Sequence, residues 1–265
     1  MKKNYLLSIS LLIVVVTSSM AQKTHDTEWY FGAGGNFNTA WIIRQNTYGE
    51  PEMKYKITPT YAANVILGFD YSEHWGLKME LGYAVLGQKY ADSQYSLPAK
   101  RTITLDYFLL PVLIKYRTGD EMTKFYIMAG PQFGLLLSAN QVYTRNGVDA
   151  PVFNNPDVGA IDVSKKDIKD RYTQAAGFIR MDLGIELRPS NHFMMDIGLT
   201  GAYAVTDLNN AHWRFHDIHG GYQISHDFYA GLNVGFMFNT GRKGKSESES
   251  VKSNTPSPAN NTNYW

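Results

Sequence analysis

The sequence predicts an all-β chain closed into an eight-stranded antiparallel transmembrane barrel, and three observations carry that reading. Within Leu105 to Arg117, the apolar run Phe108 to Tyr116 is too short for a membrane helix and suits a membrane strand. A helix needs about 20 apolar residues, a tilted strand only about 9–11. Seven weaker segments alternate with the period of two that marks a strand. The connections between these segments alternate long and short from first to last, as in barrels with short periplasmic turns and longer outside loops. A soluble periplasmic β-sandwich could supply the alternation. It has no reason to obey the loop rule.

The first strand, Glu28 to Asn38, sets Trp29, Phe31, Ala33, Gly35 and Phe37 on one face, with Gly32, Gly34, Asn36 and Asn38 on the other. Small and polar residues mark the lumen side. The second, Thr60 to Asp70, turns Tyr61, Ala63, Val65, Leu67 and Phe69 outward. The third, Trp75 to Val85, sets Trp75, Leu77, Met79, Leu81, Tyr83 and Val85 against Gly76, Lys78, Glu80, Gly82 and Ala84. The fourth is Leu105 to Arg117, with Phe108, Leu110, Val112, Ile114 and Tyr116 outward. Its Pro111 has no N–H for a ladder, which predicts a bulge there. The fifth runs Phe125 to Leu137, the sixth Ala176 to Arg188, the seventh Phe193 to Val205 and the eighth His226 to Phe238. Long connections are expected at Thr39–Thr58, Leu86–Lys100, Ser138–Gln174 and Thr206–Ser225.

This topology places the two chain ends on the periplasmic side. The lipid-facing strand ends there are Trp29, Tyr71, Trp75, Tyr116, Phe125, Phe193 and Phe238, while the opposite rim collects Phe37, Tyr61, Tyr83, Phe108, Tyr203 and Phe228. Two aromatic girdles are what membrane interfaces favour.

The flanks say how the chain reaches the membrane. Lys2 and Lys3, the apolar Tyr5 to Val16 and the small-x-small Ser19-Met20-Ala21 make a cleavable export signal, so residues 1–21 are expected to be removed. Residues 22–27 form a short lead-in, 28–238 the barrel, and 239–265 a periplasmic tail whose composition favours disorder. Without cysteine there is no disulfide and no lipid-modified cysteine. Of 25 Lys and Arg, two leave with the leader, against 24 Asp and Glu. A near-neutral exported chain offers no electrostatic reason to bind nucleic acid. Outer-membrane lipid is the expected surrounding.

Tyr107 to Tyr116, YFLLPVLIKY, resembles the strand reading roughly Tyr-Leu-Glu-Ile-Pro-Leu-Leu-Leu-Lys-Tyr of the PorT-like small outer-membrane barrels of Bacteroidetes. Phe125 to Pro131, FYIMAGP, is similar to their next strand, and Gly32 to Asn36 and Gly87 to Tyr90 look alike. The resemblance covers residues 28–238. It departs at Leu109, where the family carries an inward glutamate, and in the tail beyond Phe238. It implies an eight-stranded outer-membrane barrel. For PorT itself it implies a part in type IX secretion and gliding.

Alternation turns Lys78, Glu80, Lys115, Arg180, Asp182, Glu186, Arg188 and Asp196 into the lumen, four cations and four anions. An eight-stranded barrel is just wide enough for its own side chains. Buried charges must pair, so these eight are read as a plug, with a proton or ion path as the sharper alternative. The last long loop gathers His212, His216 and His219. On a helix the first two would share a face like paired zinc ligands, but solvated loop histidines are the commoner case. Ser225-His226 is the adjacent Ser/His pair near a rim, and strand neighbours point to opposite faces. Asp92, Asp149 and Asp157 fall in loops with no partner the sequence can place. No cofactor is implied.

The expected function is a non-enzymatic barrel serving a secretion or surface-assembly complex, with secretion-machinery or other envelope proteins as partners. The alternative is a surface ligand-binding or adhesive barrel acting through its long outside loops. A metal-dependent or lipid-modifying enzyme is the third reading.

Overall fold

A computed structural model describes residues 27–47, 53–92, 98–120, 122–146, 148–149, 153–155, 159–161, 166–216 and 221–239. The expected leader, nearly all of the 22–27 lead-in, and the tail beyond Asn239 lie outside these residues.

The barrel strands are β1 (Glu28–Ile43), β2 (Pro59–Asp70), β3 (Trp75–Asp92), β4 (Ala99–Gly119), β5 (Thr123–Arg145), β6 (Ala175–Ser190), β7 (Phe193–Ala204) and β8 (His226–Asn239). Each pairs antiparallel with its chain neighbours. β8 pairs with β1 from His226↔Ile43 to Asn239↔Tyr30, so the first and last strands close the ring. Within the ring each of the eight strands is paired on both sides, which is the condition for spanning hydrocarbon with β-structure.

The outward face is apolar over the length a bilayer requires. Phe31, Val65, Ile127, Leu183 and Leu232 are among its exposed residues. At the periplasmic end, Trp29 packs on Phe69 (ring centroids 5.0 Å), Trp75 on Tyr116 (4.9 Å) and Phe193 on Phe238 (5.5 Å). At the outer end Trp41 stacks on Phe228 at 5.3 Å, and Tyr83 lies opposite Phe108. Along β1 the girdles are eight to twelve residues apart, from Trp29 to Phe37 or Trp41. At a rise of about 3.3 Å and a tilt of about 40° this spans roughly 20–30 Å, bracketing the ~25 Å apolar band of such barrels.

Two expectations are corrected. Pro111 carries no bulge. Met79↔Val112 and Gly82↔Leu109 on one side, and Pro111↔Gln132 and Ile114↔Ala129 on the other, keep one register past it. A proline needs only to forgo its own ladder bond, and no extra residue is required. The shift lies higher, where Asp106↔Ser138 is followed by Tyr107↔Leu136, leaving Leu137 as the additional residue of β5. The insertion inverts the alternation of β5. Below it Met128, Gln132 and Leu136 face in; above it Ala139, Gln141 and Tyr143 do.

The expected long connection Leu86–Lys100 is mostly strand. β3 runs on to Asp92 and β4 begins at Ala99, with β5 continuing beside them to Arg145. Apolar lipid-face residues stop at the water's edge, but backbone groups still need partners, so the ladder continues beyond the membrane. Lys54–Lys56 adds a short fourth strand along β3. Gly87, at φ +125°, begins this extension; a Cβ there would lie 2.1 Å from the Ile103 carbonyl oxygen. We call this four-stranded extracellular extension the platform.

A charge placed at mid-belt should be costly and one above it should not. Val65→Arg is expected to lower stability in bilayers by about 2–4 kcal/mol, and Asn140→Arg by less than about 1 kcal/mol. Urea titration of the two variants in vesicles measures both, and equal losses would place the membrane boundary elsewhere.

Candidate functional site

The lumen has two levels, and both come from the inward positions of the strands. The periplasmic half is ionic. Glu186 accepts from Lys115 (3.1 Å), Arg117 (3.2 Å) and Arg188 (2.7 Å). Asp70 pairs with Lys115 (2.9 Å), Arg188 (3.3 Å) and Arg117. Glu28 takes the third nitrogen of Arg188 at 2.8 Å. A step further in, Lys78 bridges Glu80 (3.2 Å) and Asp196 (3.1 Å), while Arg180 spans Glu80 (2.8 Å) and Asp182 (2.8 Å). Thr200 Oγ1 donates to Asp182 at 2.6 Å.

All eight lumen charges anticipated from alternation sit in these networks. The structure adds Glu28, Asp70 and Arg117, the end residues of the first, second and fourth strands expected from the sequence, and Lys124, one position before the fifth. Their parity was the available signal. Glu28 follows Tyr30, Asp70 follows Gly68, and Arg117 follows Lys115. Six carboxylates thus face six cations. Breaking such a pair leaves an uncompensated buried charge, the expensive outcome in a low-dielectric interior.

Aromatic rings separate the two ionic clusters. The Tyr30 ring lies 4.5 Å from Lys115 Nζ, and its hydroxyl donates to the Leu77 carbonyl at 3.3 Å. Glycines make the room. A Cβ at Gly68 would lie 2.3 Å from the Tyr30 ring, and one at Gly198 would lie 2.4 Å from the Tyr126 hydroxyl.

The outer half of the lumen is apolar. Ile42, Leu86, Ile103, Leu105, Leu109 and Phe178 pack there with Tyr107 and Tyr229. Leu109, where the resembling strands carry glutamate, is one of this group. Loop residues close the mouth from above, as Ile168, Tyr172 and Leu208 are buried in the same cluster. Asp227 is the buried carboxylate of this level, held by the Tyr107 hydroxyl at 3.1 Å. Tyr107 and Leu109 are inward positions of the fourth strand by alternation alone, whereas Ile42, Leu86 and Ile103 lie beyond the strand limits that lipid contact marks.

Above the mouth, Tyr143 of the platform packs with Ile161, Met53, Trp213 and Phe215, and Arg171 lies over the Trp213 ring at 4.6 Å. Tyr222 donates to Asp207 (2.8 Å to the nearer oxygen); burial above all, with that carboxylate, pushes its hydroxyl up to about 12. It therefore stays a protonated donor at neutral pH.

The loop histidines are not brought together by a helix. Ala211–Trp213 is one 3₁₀ turn, capped by the Asn210 side chain, and it ends before His216. The i, i+4 geometry that would align His212 with His216 is therefore not formed, and both side chains are exposed. His219 lies outside the described residues. No cluster of three or more His, Cys, Asp or Glu side chains suited to a metal occurs among the described residues. The Ser225 hydroxyl, buried, donates to the Arg44 carbonyl and accepts from Asn209 (2.9 Å), whereas His226 lies against Tyr203 on the outer face. The two do not share a proton. Asp92 pairs at the end of β3, opposite Ala99, and Asp149 in a two-residue strand, opposite Thr144; Asp157 lies outside the described residues.

Glu186, like Asp70, meets three cations of the lower cluster. Glu186→Gln leaves Lys115, Arg117 and Arg188 short of a countercharge and should cost about 3–5 kcal/mol. The urea midpoint of the folded barrel in vesicles reads this, and an unchanged midpoint would show that the cluster tolerates a free cation.

The model of the outer membrane protein beta-barrel domain family matches residues 20–212. No curated protein matches the chain. Among solved structures it is similar to Neisserial surface protein A, at 11% identity and TM-score 0.40, covering 79% of this chain and 96% of that one. It is similar to Ail, the attachment invasion locus protein of Yersinia pestis, solved with the heparin analogue sucrose octasulfate (10%, TM-score 0.40, 81% and 100%). It is also similar to OprG of Pseudomonas aeruginosa (9%, TM-score 0.43, 84% and 99%). With the family model covering most of the sequence and the ring of eight strands closed, the chain is an outer-membrane protein that belongs to the outer membrane protein beta-barrel domain family.

Proposed function

We propose that this protein is a sealed, non-enzymatic outer-membrane barrel that acts through its extracellular platform and loops rather than by conducting solutes. One observation carries the reading: the lumen is filled at both levels, by paired charges below and by an apolar cluster capped with Ile168, Tyr172 and Leu208 above. An ion path needs water along its length, and here 18 packed apolar and tyrosine side chains fill the outer level, with its buried polar groups Asp227 and Gln132 held by the Tyr107 and Tyr229 hydroxyls. Two clefts among the described residues, one beside Arg44 and His216 and one beside Asn64 and Arg180, each have about 20 Å³ of free space. That is room for about one water, not for an organic substrate.

The surface that remains for work lies outside. The platform is held rigidly: buried Gln88 donates to the Lys56 carbonyl at 2.7 Å and accepts from the Ile42 amide at 3.3 Å, tying β1, β3 and the short Lys54–Lys56 strand together. This favours a ligand-binding or adhesive role. A PorT-like part in secretion or surface assembly rests on the β4 and β5 strand resemblance, and would use the same platform or the periplasmic tail as its contact.

Reconstituted into planar bilayers, the protein is expected to show no steady open channel. Robust ohmic conductance would overturn the sealed-lumen reading.

A further inference from the structure

The outward face of the platform carries four lysines in a regular array, with Asp149 two strands from Lys100 in the same row and Asp106 nearer the membrane. Lys54 lies opposite Ala91, and Ala91 opposite Lys100. One row nearer the membrane, Lys56 lies opposite Lys89, and Lys89 opposite Thr102. Cross-strand partners share a face, so Lys54, Lys56, Lys89 and Lys100 surround the small Ala91 and Thr102 on one side of the sheet. All four are exposed. None of the ion pairs among the described residues includes any of them. Lys56 and Lys89 are directly opposed, and like charges in that position destabilise a ladder. Such an arrangement is best relieved by an anion held between the ammonium groups.

Its height selects the anion's source. Lys89 is six residues beyond Tyr83 and Lys100 eight beyond Phe108, the girdle residues of their strands. At about 3.3 Å per residue and about 40° tilt, the lysines stand roughly 15–20 Å outside the rim. The headgroup layer of a phospholipid bilayer is only about 5–8 Å thick on each side. Phosphates at the lysine level must therefore be raised on a larger head. Between rim and lysines the outward positions are first Val85, opposite Asp106, whose carboxylate is tied to the Tyr83 hydroxyl at 2.9 Å, and then Gly87, Thr104 and Asn140. Above Val85 this is a small, polar surface against which a saccharide can lie.

We propose that Lys54, Lys56, Lys89 and Lys100 form a binding site for the phosphorylated saccharide head of an outer-leaflet glycolipid, with acyl chains against the β3–β4 belt below. The site rests on the proposed function only in treating the platform as the working surface.

The test uses the mature full chain in nanodiscs of zwitterionic phospholipid, doped with a glycolipid whose head is an oligosaccharide of about four or more sugars bearing phosphates on its outer sugars. Bound glycolipid is counted by native mass spectrometry. Parallel discs carry the dephosphorylated glycolipid or phosphatidylglycerol, and a further sample receives free heparin. The expected result is retention of the phosphorylated glycolipid that weakens with added salt. The variant K54Q/K56Q/K89Q/K100Q should lose about 600-fold in affinity, at about fivefold per lysine. The matching Lys→Arg variant should keep it. Unheated gel mobility confirms that each variant is a closed barrel. Equal retention by the Gln variant, no loss on dephosphorylation, an equal preference for phosphatidylglycerol, or capture of heparin but not glycolipid would each overturn the proposal. Conductance stays silent in all of these arms, so this failure is separate from failure of the sealed-lumen reading.

Discussion

Closure of the hydrogen-bond ladder is the constraint on which everything else depends. In hydrocarbon no water satisfies a free strand edge, so β8 must return to β1 and β5 must find β6 across the long connection between them. Eight strands closed in this way fix the width of the interior. Inward side chains then have no choice but to fill it.

Filling a narrow lumen with charge works only if cations and anions meet. Here they do so as a mesh rather than as isolated pairs. Glu186 and Asp70 each touch Lys115, Arg117 and Arg188, and Arg180 holds two carboxylates from β3 and its own strand. Most of these contacts tie together strands distant in sequence, as Asp70 to Arg188 and Glu80 to Arg180 do, so the network acts as a cross-brace across the ring. The apolar level above it excludes water from the ionic level, which strengthens the pairing and raises the cost of breaking it.

The one inserted residue in β5 has consequences well beyond its size. By inverting the alternation above Leu136, it turns Gln141 and Tyr143 toward the loops, where Gln141 accepts from Arg101 at 2.9 Å and Tyr143 seats the loop cluster. A barrel wall becomes a platform with an inner face that packs and an outer face that is polar. Bulges commonly serve this purpose at barrel rims, where a side chain has to be re-aimed.

Period-two alternation, loop lengths and aromatic rims were sufficient to specify eight membrane strands, their lipid faces and eight of the lumen charges, Lys78 through Asp196. These signals are local: each depends only on where a residue stands along its own strand. Tertiary structure decided the rest. Which carboxylate meets which cation depends on register and barrel closure. So does the company kept by Leu109, which lies in an outer lumen sealed by Ile168 and Tyr172 from a distant loop. The extension of β3–β5 beyond the membrane was hidden because hydrophobicity marks the lipid boundary, whereas hydrogen bonding decides where a strand ends. The four lysines of the platform share one face only because Lys54–Lys56 pairs with β3, a contact between segments more than 30 residues apart.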